Sequence, residues 1–334
     1  MLMTVPRARA YIHPTMPTFE IGLLNGAGTM DSRLVFSRAS SATDSIYTDA
    51  AGSAYNTYLT DVPRMTASGY LHEGSRVNRL LVSTVPATQT TASLATGTYT
   101  LWVIGTGSAT SAAVTATGTG FGAATAGVPN VFVLTGAGTV RVTVAGSLNR
   151  FQLELGSFPS SFIVTAGAVV TRSADLCAMS MNPDGAFTIV VDYIDNASSD
   201  ATARFVYDFT DAATPVERTG SNNSNNSYPS ALIRNDAANV SVVSLWGAVT
   251  PGYGLMISTG LSANNGNLCG ANNNVVSGMK WPKRASTGLV NLIIGAIQTN
   301  GTQSAYGYFR RVRFWRNRYF GNTQLMSLTK PLRG

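Results

Sequence analysis

The chain has 334 residues, which exceeds one typical domain and predicts two or three. Charged residues make up only 12% of it, well below the share of about 25% that is usual in globular proteins, so the surface is rich in hydroxyls and amides. The net charge is +7, but no zinc-ligand spacing, helix-turn-helix pattern or aromatic RNA-binding signature accompanies it, and we expect no nucleic-acid binding. The hydrophobic content of 44% argues against wholesale disorder.

The first residues, MLMTVPRARAYIHP, include basic side chains but no apolar stretch behind them, so we expect no signal peptide. No run approaches the roughly 20 apolar residues that a membrane helix needs, and we expect no membrane insertion. Residues 1–82 are irregular, with few alternating apolar runs. We expect this region to lack a core of its own and to be ordered mainly by contacts with other subunits. Its two histidines, His13 and His72, are expected to be structural or solvated rather than catalytic.

Residues 83–172 are rich in Thr, Ala, Gly and Val, and short runs with a period of two predict strands. The alternation is clear where Val140, Val142 and Val144 point one way along the chain. Such strands, spaced about ten residues apart, favour an antiparallel sandwich over βαβ units. The predicted strands are 99–104, 112–116, 131–134, 139–144 and 151–155.

Residues 173–334 carry longer strands and a short apolar helix predicted at 322–328. In the arginine-rich strand, the alternation predicts one face with Tyr308, Arg310, Val312 and Phe314, and a second face with Arg311, Arg313 and Trp315. We expect at least one of these arginines to pair with Asp192 or Asp208. Two Asn-rich runs, 221–230 and 262–274, predict exposed loops. The predicted strands are 187–194, 204–209, 231–234, 240–246, 254–258, 289–297 and 308–315.

Three segments together resemble a recurrent arrangement in tailed-bacteriophage structural proteins. DSRLVFSRASSATDSIYTDAAG at 31–52 is similar to the pattern DxRxTFTRASxATYVDxxG. DVPRMTASGYLHEGSRVNRLL at 61–81 resembles VPRxD followed by GLLIEGQRTNLL. FQLELGSFPSSFIVTAGAVVTRSAD at 151–175 is close to VQLELGxFATSYIPTxGxxVTRxAD, which ends a carbohydrate-binding module and leads into a further domain.

The resemblance implies an all-β chain with two antiparallel sandwiches after an irregular attachment region. Residues 1–82 would attach to other virion proteins, 83–172 would form a carbohydrate-binding-module-like sandwich, and 173–334 a concanavalin A-like or laminin-G-like jelly roll. The implied protein is a fibre or spike subunit on the virion exterior, on tail or head, made in the bacterial cytoplasm. It would contact host surface polysaccharide and assemble as a homotrimer.

Glycan binding needs aromatic faces for stacking and amides for sugar hydroxyls. Within the jelly-roll region the best candidates for these roles are Tyr228, Tyr253, Trp281, Asn225, Asn226 and Asn273. Trp102, Trp246 and Trp315 sit within predicted strands and are expected in the core. Cys177 and Cys269 are expected to be buried free thiols.

Catalysis is not expected, because no nucleophile with a base, nucleotide-binding loop or zinc-protease pattern occurs. Asp192 and Asp195 differ by three positions, so a regular strand puts them on opposite faces and does not converge them on a substrate. No cofactor is expected; the alternative is calcium held by Asp195 and Asp200. Two other functions stay open: a decoration protein that binds no sugar, and a tailspike that degrades polysaccharide.

Overall fold

The computed structural model describes residues 16–24, 29–183, 185–196, 204–210, 217–224, 228–235, 239–244, 255–264, 267–273, 275–280, 290–296 and 304–330. Within these residues the chain is almost entirely β, which confirms the predicted fold class. No helix in the described part is long and apolar enough to cross a membrane.

Strands β1 to β7 come from the first 82 residues: β1 (Phe19–Gly22), β2 (Val35–Ser37), β3 (Ala42–Thr43), β4 (Thr57–Tyr58), β5 (Arg64–Thr66), β6 (Gly69–His72) and β7 (Arg76–Asn78). The next six are β8 (Gln89–Thr90), β9 (Gly97–Ala113), β10 (Thr117–Thr119), β11 (Ala123–Thr125), β12 (Asn130–Gly136) and β13 (Val140–Leu155). The remaining elements are β14 (Val170–Arg172), β15 (Leu176–Ser180), β16 (Phe187–Asp195), β17 (Arg204–Thr210), β18 (Glu217–Ser224), β19 (Tyr228–Asn235), β20 (Asn239–Ser244), β21 (Leu255–Asn264), β22 (Asn267–Asn272), β23 (Val275–Lys280), β24 (Asn291–Ile294), β25 (Gly307–Arg316) and α1 (Asn322–Leu328). The helix has the bounds that the sequence predicts.

Strands β8 to β13, in residues 89–155, form one six-stranded sheet in the order β10-β12-β9-β13-β8, with β11 also paired with β9. The prediction of separate strands at 99–104 and 112–116, and at 139–144 and 151–155, was wrong, because β9 and β13 each run through as one long strand. Gly105 and Gly146 have positive φ near the middle of these strands, and a bulge follows at Leu148. The halves on either side of these irregular positions share one apolar core. A single bent sheet therefore supplies both layers around that core.

The second sandwich has an eight-stranded and a seven-stranded antiparallel sheet. The first runs β23-β22-β21-β16-β25-β6-β5 with β1 also on β25, and the second runs β2-β15-β24-β17-β18-β19-β20. Its main core lies between them, where Val191 and Phe314 of the first sheet share one cluster with Phe209 and Leu292 of the second. Core residues occupy every second position along a strand, as Phe187, Ile189, Val191 and Tyr193 do in β16, so one face of each sheet is apolar.

The N-terminal segment is part of this second sandwich. Strand β1 pairs with β25, placing Phe19 opposite Phe314 with their rings stacked 5.2 Å apart. Strand β2 pairs with β15, and β6 pairs with β25. Ile21 and Tyr70 are fully buried in its main core. The described part of residues 1–82 is thus ordered by contacts within the chain, unlike the expectation of order through other subunits.

A bulge in β25 changes the faces of the arginine-rich strand. Asp192 lies opposite Arg311 while the next residue of β16, Tyr193, lies opposite Phe309, so Arg310 is an extra residue. Phe309 therefore joins Val312 and Phe314 in the core. The prediction that Tyr308 and Arg310 share the face of Val312 and Phe314 was wrong, because an inserted residue shifts the alternation by one position.

The Asn-rich runs are mostly strands rather than exposed loops. Residues 221–224 belong to β18 and 228–230 to β19, which pair with each other. Residues 262–264 and 267–272 belong to β21 and β22, which also pair. Cross-strand pairing overrides the low intrinsic preference of Asn for strands. The loop prediction holds for neither run as a whole.

The outer face of the eight-stranded sheet is covered by helix α1. Leu325 of the helix is fully buried against Val190, Ala271 and Trp315 of the sheet. Trp102 and Trp315 are both buried, as the sequence predicts, whereas Trp246 lies outside the described residues. Cys177 and Cys269 are buried free thiols, also as predicted.

Candidate functional site

The three sequence motifs meet in a buried ionic cluster, which we call the motif cluster: Arg38, Arg64, Glu73, Arg172 and Asp175. Arg64 contacts both acids, at 2.6 Å to Glu73 Oε2 and 2.5 Å to Asp175 Oδ2. Arg38 lies 3.0 Å from Asp175 Oδ1, and Arg172 lies 2.8 Å from Glu73 Oε2. Every member comes from a motif that carries the phage resemblance, so the residues shared with that pattern build this cluster.

The ends of short strands position these side chains. Arg64 opens β5, Glu73 follows β6, and Arg172 ends β14. The backbone of Asp175 donates to the Glu73 carbonyl at 2.9 Å, and the Glu73 amide donates to Asp175 Oδ2 at 2.9 Å. Ser161 Oγ completes the arrangement by donating to Glu73 Oε2 at 2.5 Å. The cluster therefore fastens the N-terminal strands to the segment that leads into the second sandwich.

Both carboxylates of the cluster are held in the charged form. Burial alone raises the pKa of Glu73, but Arg172 and Arg64 outweigh it and lower that pKa below its usual value. Burial likewise opposes ionisation of Asp175, and Arg64, His72 and Arg38 lower its pKa. A general acid needs a raised pKa, so these paired carboxylates lack the property that acid catalysis requires.

A cleft of about 480 Å³ lies beside the motif cluster, within the range of small-ligand sites. The segment 41–57 forms one side and the segment 162–172 the other. The lining residues are Ser41, Ala42, Thr43, Tyr55, Thr57, Phe162, Ile163, Val164, Val170 and Arg172. We call this the 41–172 cleft.

Three hydroxyls and one buried nitrogen of the 41–172 cleft have no hydrogen-bond partner within the described part of the chain. The hydroxyls of Ser41, Tyr55 and Thr57 make no hydrogen bond with the residues that the structure describes. Arg172 is 1% exposed, and its Nε has no hydrogen-bond partner within the described part of the chain. Buried donors are normally paired, so an unpaired one on a residue that lines a cleft is a candidate position for a ligand acceptor.

An aromatic pair stiffens the same cleft. The Tyr55 and Phe162 rings meet edge to face with centroids 5.6 Å apart. The guanidinium of Arg150 lies 4.5 Å from the centre of the Tyr55 ring and donates to Ser45 Oγ at 2.7 Å. Tyr55 is thus fixed by its neighbours while remaining partly exposed. A rigid, partly exposed aromatic side chain is the kind of surface on which sugar rings pack.

Sequence reasoning did not find this cleft. Its polar residues come from segments 41–57 and 162–172, far apart in the chain, and no local pattern links them. The motifs at 31–52 and 151–175 were the available signal, because Ser41, Ala42 and Thr43 lie within the first and all lining residues of 162–172 lie within the second, whereas Tyr55 and Thr57 belong to neither.

The described part of the chain does not show the glycan-binding residues predicted in 173–334 coming together in one site. Tyr253, Trp281, Asn225 and Asn226 lie outside them, and Tyr228 begins β19. Asn273 has a positive φ and uses its side chain locally: its Oδ1 accepts from the Ser258 amide at 2.7 Å. This contact of the Asn273 side chain stabilises the turn that follows β22.

The arginine-rich strand is held by an acid, as the sequence predicts. Arg311 Nε lies 2.8 Å from Asp192 Oδ2, and Arg313 lies 3.4 Å from the same oxygen. Asp192 also accepts from Ser258 Oγ at 2.5 Å and is almost fully buried. The described residues contain no group of three or more His, Cys, Asp or Glu side chains arranged to hold a metal ion. Asp200 of the calcium alternative lies outside them.

Comparison with known proteins gives similarity to solved structures only. No family model and no curated protein matches the chain. The CBM40 of the IT-sialidase of Ruminococcus gnavus, bound to α2,3-sialyllactose, is 16% identical at a TM-score of 0.37, over 43% of this chain and 83% of that one. Domain 4 of an extracellular arabinanase from Geobacillus stearothermophilus, in complex with arabinotriose, is 11% identical at 0.37, over 47% and 73%. A pentraxin from Limulus polyphemus is 10% identical at 0.34, over 43% and 69%. Each of these three matches leaves more than half of this chain without a counterpart.

Proposed function

We propose that the chain is a non-enzymatic, glycan-binding subunit of a bacteriophage virion, a fibre or spike protein that contacts host surface polysaccharide. The observation that carries the glycan-binding part is the 41–172 cleft, whose free hydroxyls, buried donor and fixed aromatic ring suit a polyhydroxylated ligand. Sugars are bound through many hydroxyl contacts over an apolar wall, and Phe162, Ile163 and Val170 supply that wall.

The virion assignment rests on the order of the three motifs. Their charged residues form one buried cluster in the fold, so the resemblance extends to residues that determine how the segments pack. Weak single sites suit such a role, since a particle that displays many copies gains avidity without new contacts. A homotrimer that attaches to other virion proteins belongs to the same proposal, as do Tyr228, Tyr253 and Trp281 as further glycan contacts.

A hydroxyl-deletion variant tests glycan binding at the cleft. Ser41→Ala, Tyr55→Phe and Thr57→Val together remove three hydroxyls that hold nothing else in the described structure, so the fold should persist. Each lost hydrogen bond weakens binding by about 0.5–1.5 kcal/mol, so we expect at least about tenfold weaker binding to whichever glycans the unaltered chain retains on an array. Thr60→Val, an exposed threonine outside the cleft, is the matched control.

Two results would favour the other functions. If the unaltered chain binds no glycan on the array, the decoration role without sugar binding replaces the proposal. Release of reducing sugar from host capsule would instead identify a depolymerase.

A further inference from the structure

Three arginines and two carboxylates make up the motif cluster, so it carries one uncompensated positive charge. Arg38 and Arg64 share Asp175, while Arg64 and Arg172 share Glu73. A buried ionic group is stable when its charges are balanced, and an excess cation favours a bound anion.

Arg172 is the member of this cluster that lines the cleft. Its Nη1 donates to Glu73 Oε2 at 2.8 Å and to Ser161 Oγ at 2.7 Å, and its Nη2 donates to the Gly74 carbonyl at 2.7 Å. These three contacts fix the guanidinium, and Nε is its one nitrogen without a hydrogen-bond partner in the described part of the chain. A pre-oriented, charge-assisted donor is about twice as strong as a neutral one.

A second cation stands behind the cleft wall. Arg150 stacks on Tyr55 and is 6% exposed, and no carboxylate of the described residues lies within salt-bridge distance of it. Its other contacts, Ser45 Oγ and the Ser53 carbonyl, are neutral. The acid next to the lining residue Thr43 in sequence is Asp44, and its carboxylate is already hydrogen-bonded to Asn56. It accepts from the Asn56 backbone amide at 2.8 Å and from the Asn56 side-chain amide at 2.7 Å.

We infer that the 41–172 cleft selects acidic saccharides, with a sugar carboxylate accepting from Arg172 Nε and the ring hydroxyls meeting Ser41, Tyr55 and Thr57. This inference rests on the proposed glycan binding and specifies the ligand of the same site. The carboxylate offsets the excess charge of the motif cluster beside an arginine that is only 1% exposed. A neutral sugar leaves that charge unbalanced.

The test compares acids with their own methyl esters, which keep the sugar ring and remove the charge. The full chain is titrated by calorimetry with oligogalacturonate, hyaluronan oligosaccharide and oligosialate, each beside its methyl ester. We expect at least one acid to bind about tenfold or more tightly than its ester, because a hydrogen bond to a charged group contributes about 1.5–3 kcal/mol. That preference should shrink at high salt.

Two variants locate the effect. Arg172→Lys keeps a cation for Glu73 but removes the Nε–H, so acid binding should fall about tenfold while ester binding stays within about twofold. The variant with Ser41→Ala, Tyr55→Phe and Thr57→Val should weaken acid and ester alike. If Arg172→Lys weakens both forms equally, Arg172 serves only the fold and the inference fails.

The outcomes separate the inference from the proposed function. Esters that bind as tightly as their acids overturn the acidic preference and leave glycan binding standing. Acid binding that ignores both variants places the ligand elsewhere and overturns the site. If neither these acids, their esters nor the neutral glycans of the array bind, the proposed function and the inference fall together.

Discussion

Asp175 should be among the most sensitive positions in the chain. Its carboxylate is fully buried, accepts from Arg38 at 3.0 Å and Arg64 at 2.5 Å, and also accepts from the Glu73 amide at 2.9 Å. Asp175→Asn keeps the shape but removes the charge that two buried guanidinium groups share. Removing one partner of a buried ion pair destabilises proteins by about 3–5 kcal/mol, because it leaves an uncompensated buried charge.

The matched control is Asp31→Asn. Asp31 also pairs with an arginine at short range, 2.6 Å from Arg33, but the two side chains are 23% and 42% exposed. Exposed pairs contribute about 0–1 kcal/mol, so this variant should change little.

Urea unfolding followed by tryptophan fluorescence measures both variants against the unaltered chain. With a slope of about 3 kcal/mol per molar urea, the Asp175 variant should lower the midpoint by about 1–2 M, and the Asp31 variant by less than about 0.3 M. Equal midpoints for the two variants would refute the reasoning, since the motif cluster would then contribute no more than a surface pair.

Two further predictions concern His72 and Arg313. Burial lowers the pKa of His72 from 6.5 to about 4. Between these pH values the unfolded chain binds a proton at this histidine that the folded chain does not bind. The free energy of unfolding should therefore fall by about 3 kcal/mol between pH 6.5 and pH 4. His72→Phe keeps a ring beside Tyr70 and should flatten that part of the stability profile in pH-dependent urea unfolding; an unchanged slope would contradict the assignment. Arg313→Ala removes contacts to Asp192 at 3.4 Å and to the Leu328 carbonyl at 2.8 Å, and should cost about 1–2 kcal/mol by the same assay. An unaltered midpoint would show that these contacts contribute nothing.

Local pattern located several strands and the helix, but not where strands continue, bend or pair. The alternation in 187–194 predicts β16, and the apolar spacing in 322–328 predicts α1. The strands predicted at 99–104 and 139–144 end close to Gly105 and Gly146, and glycine within a strand usually weakens or bends it. These glycines lie on two strands that pair along nearly their whole length, so each bends without breaking. The faces of β25 were misassigned for a related reason, since a bulge at Arg310 depends on the neighbouring strand and leaves no signal in the alternation.

The candidate site was beyond sequence reasoning because its parts are joined only by the fold. Arg64, Glu73 and Arg172 were visible as motif residues, yet nothing in their spacing shows that they share one buried cluster. Aromatic and amide residues of the jelly-roll region were preferred because they fit a general idea of sugar binding. The cleft instead uses Tyr55 and small hydroxyl side chains, which composition does not distinguish from ordinary surface.

The pairing of β1 with β25 constrains how the protein is made. Phe19 meets Phe314 across about 300 residues of chain, and β25 lies between β16 and the N-terminal strands. During translation all strands of the six-stranded sheet are synthesised before β16, so they can pair with one another early. Strands β1 and β6 pair with β25 only after it has been made, which at about 5–20 residues per second takes tens of seconds. Throughout that interval the edges that will pair with β25 are open to neighbouring nascent chains, and the second sandwich closes only after β25 has been made.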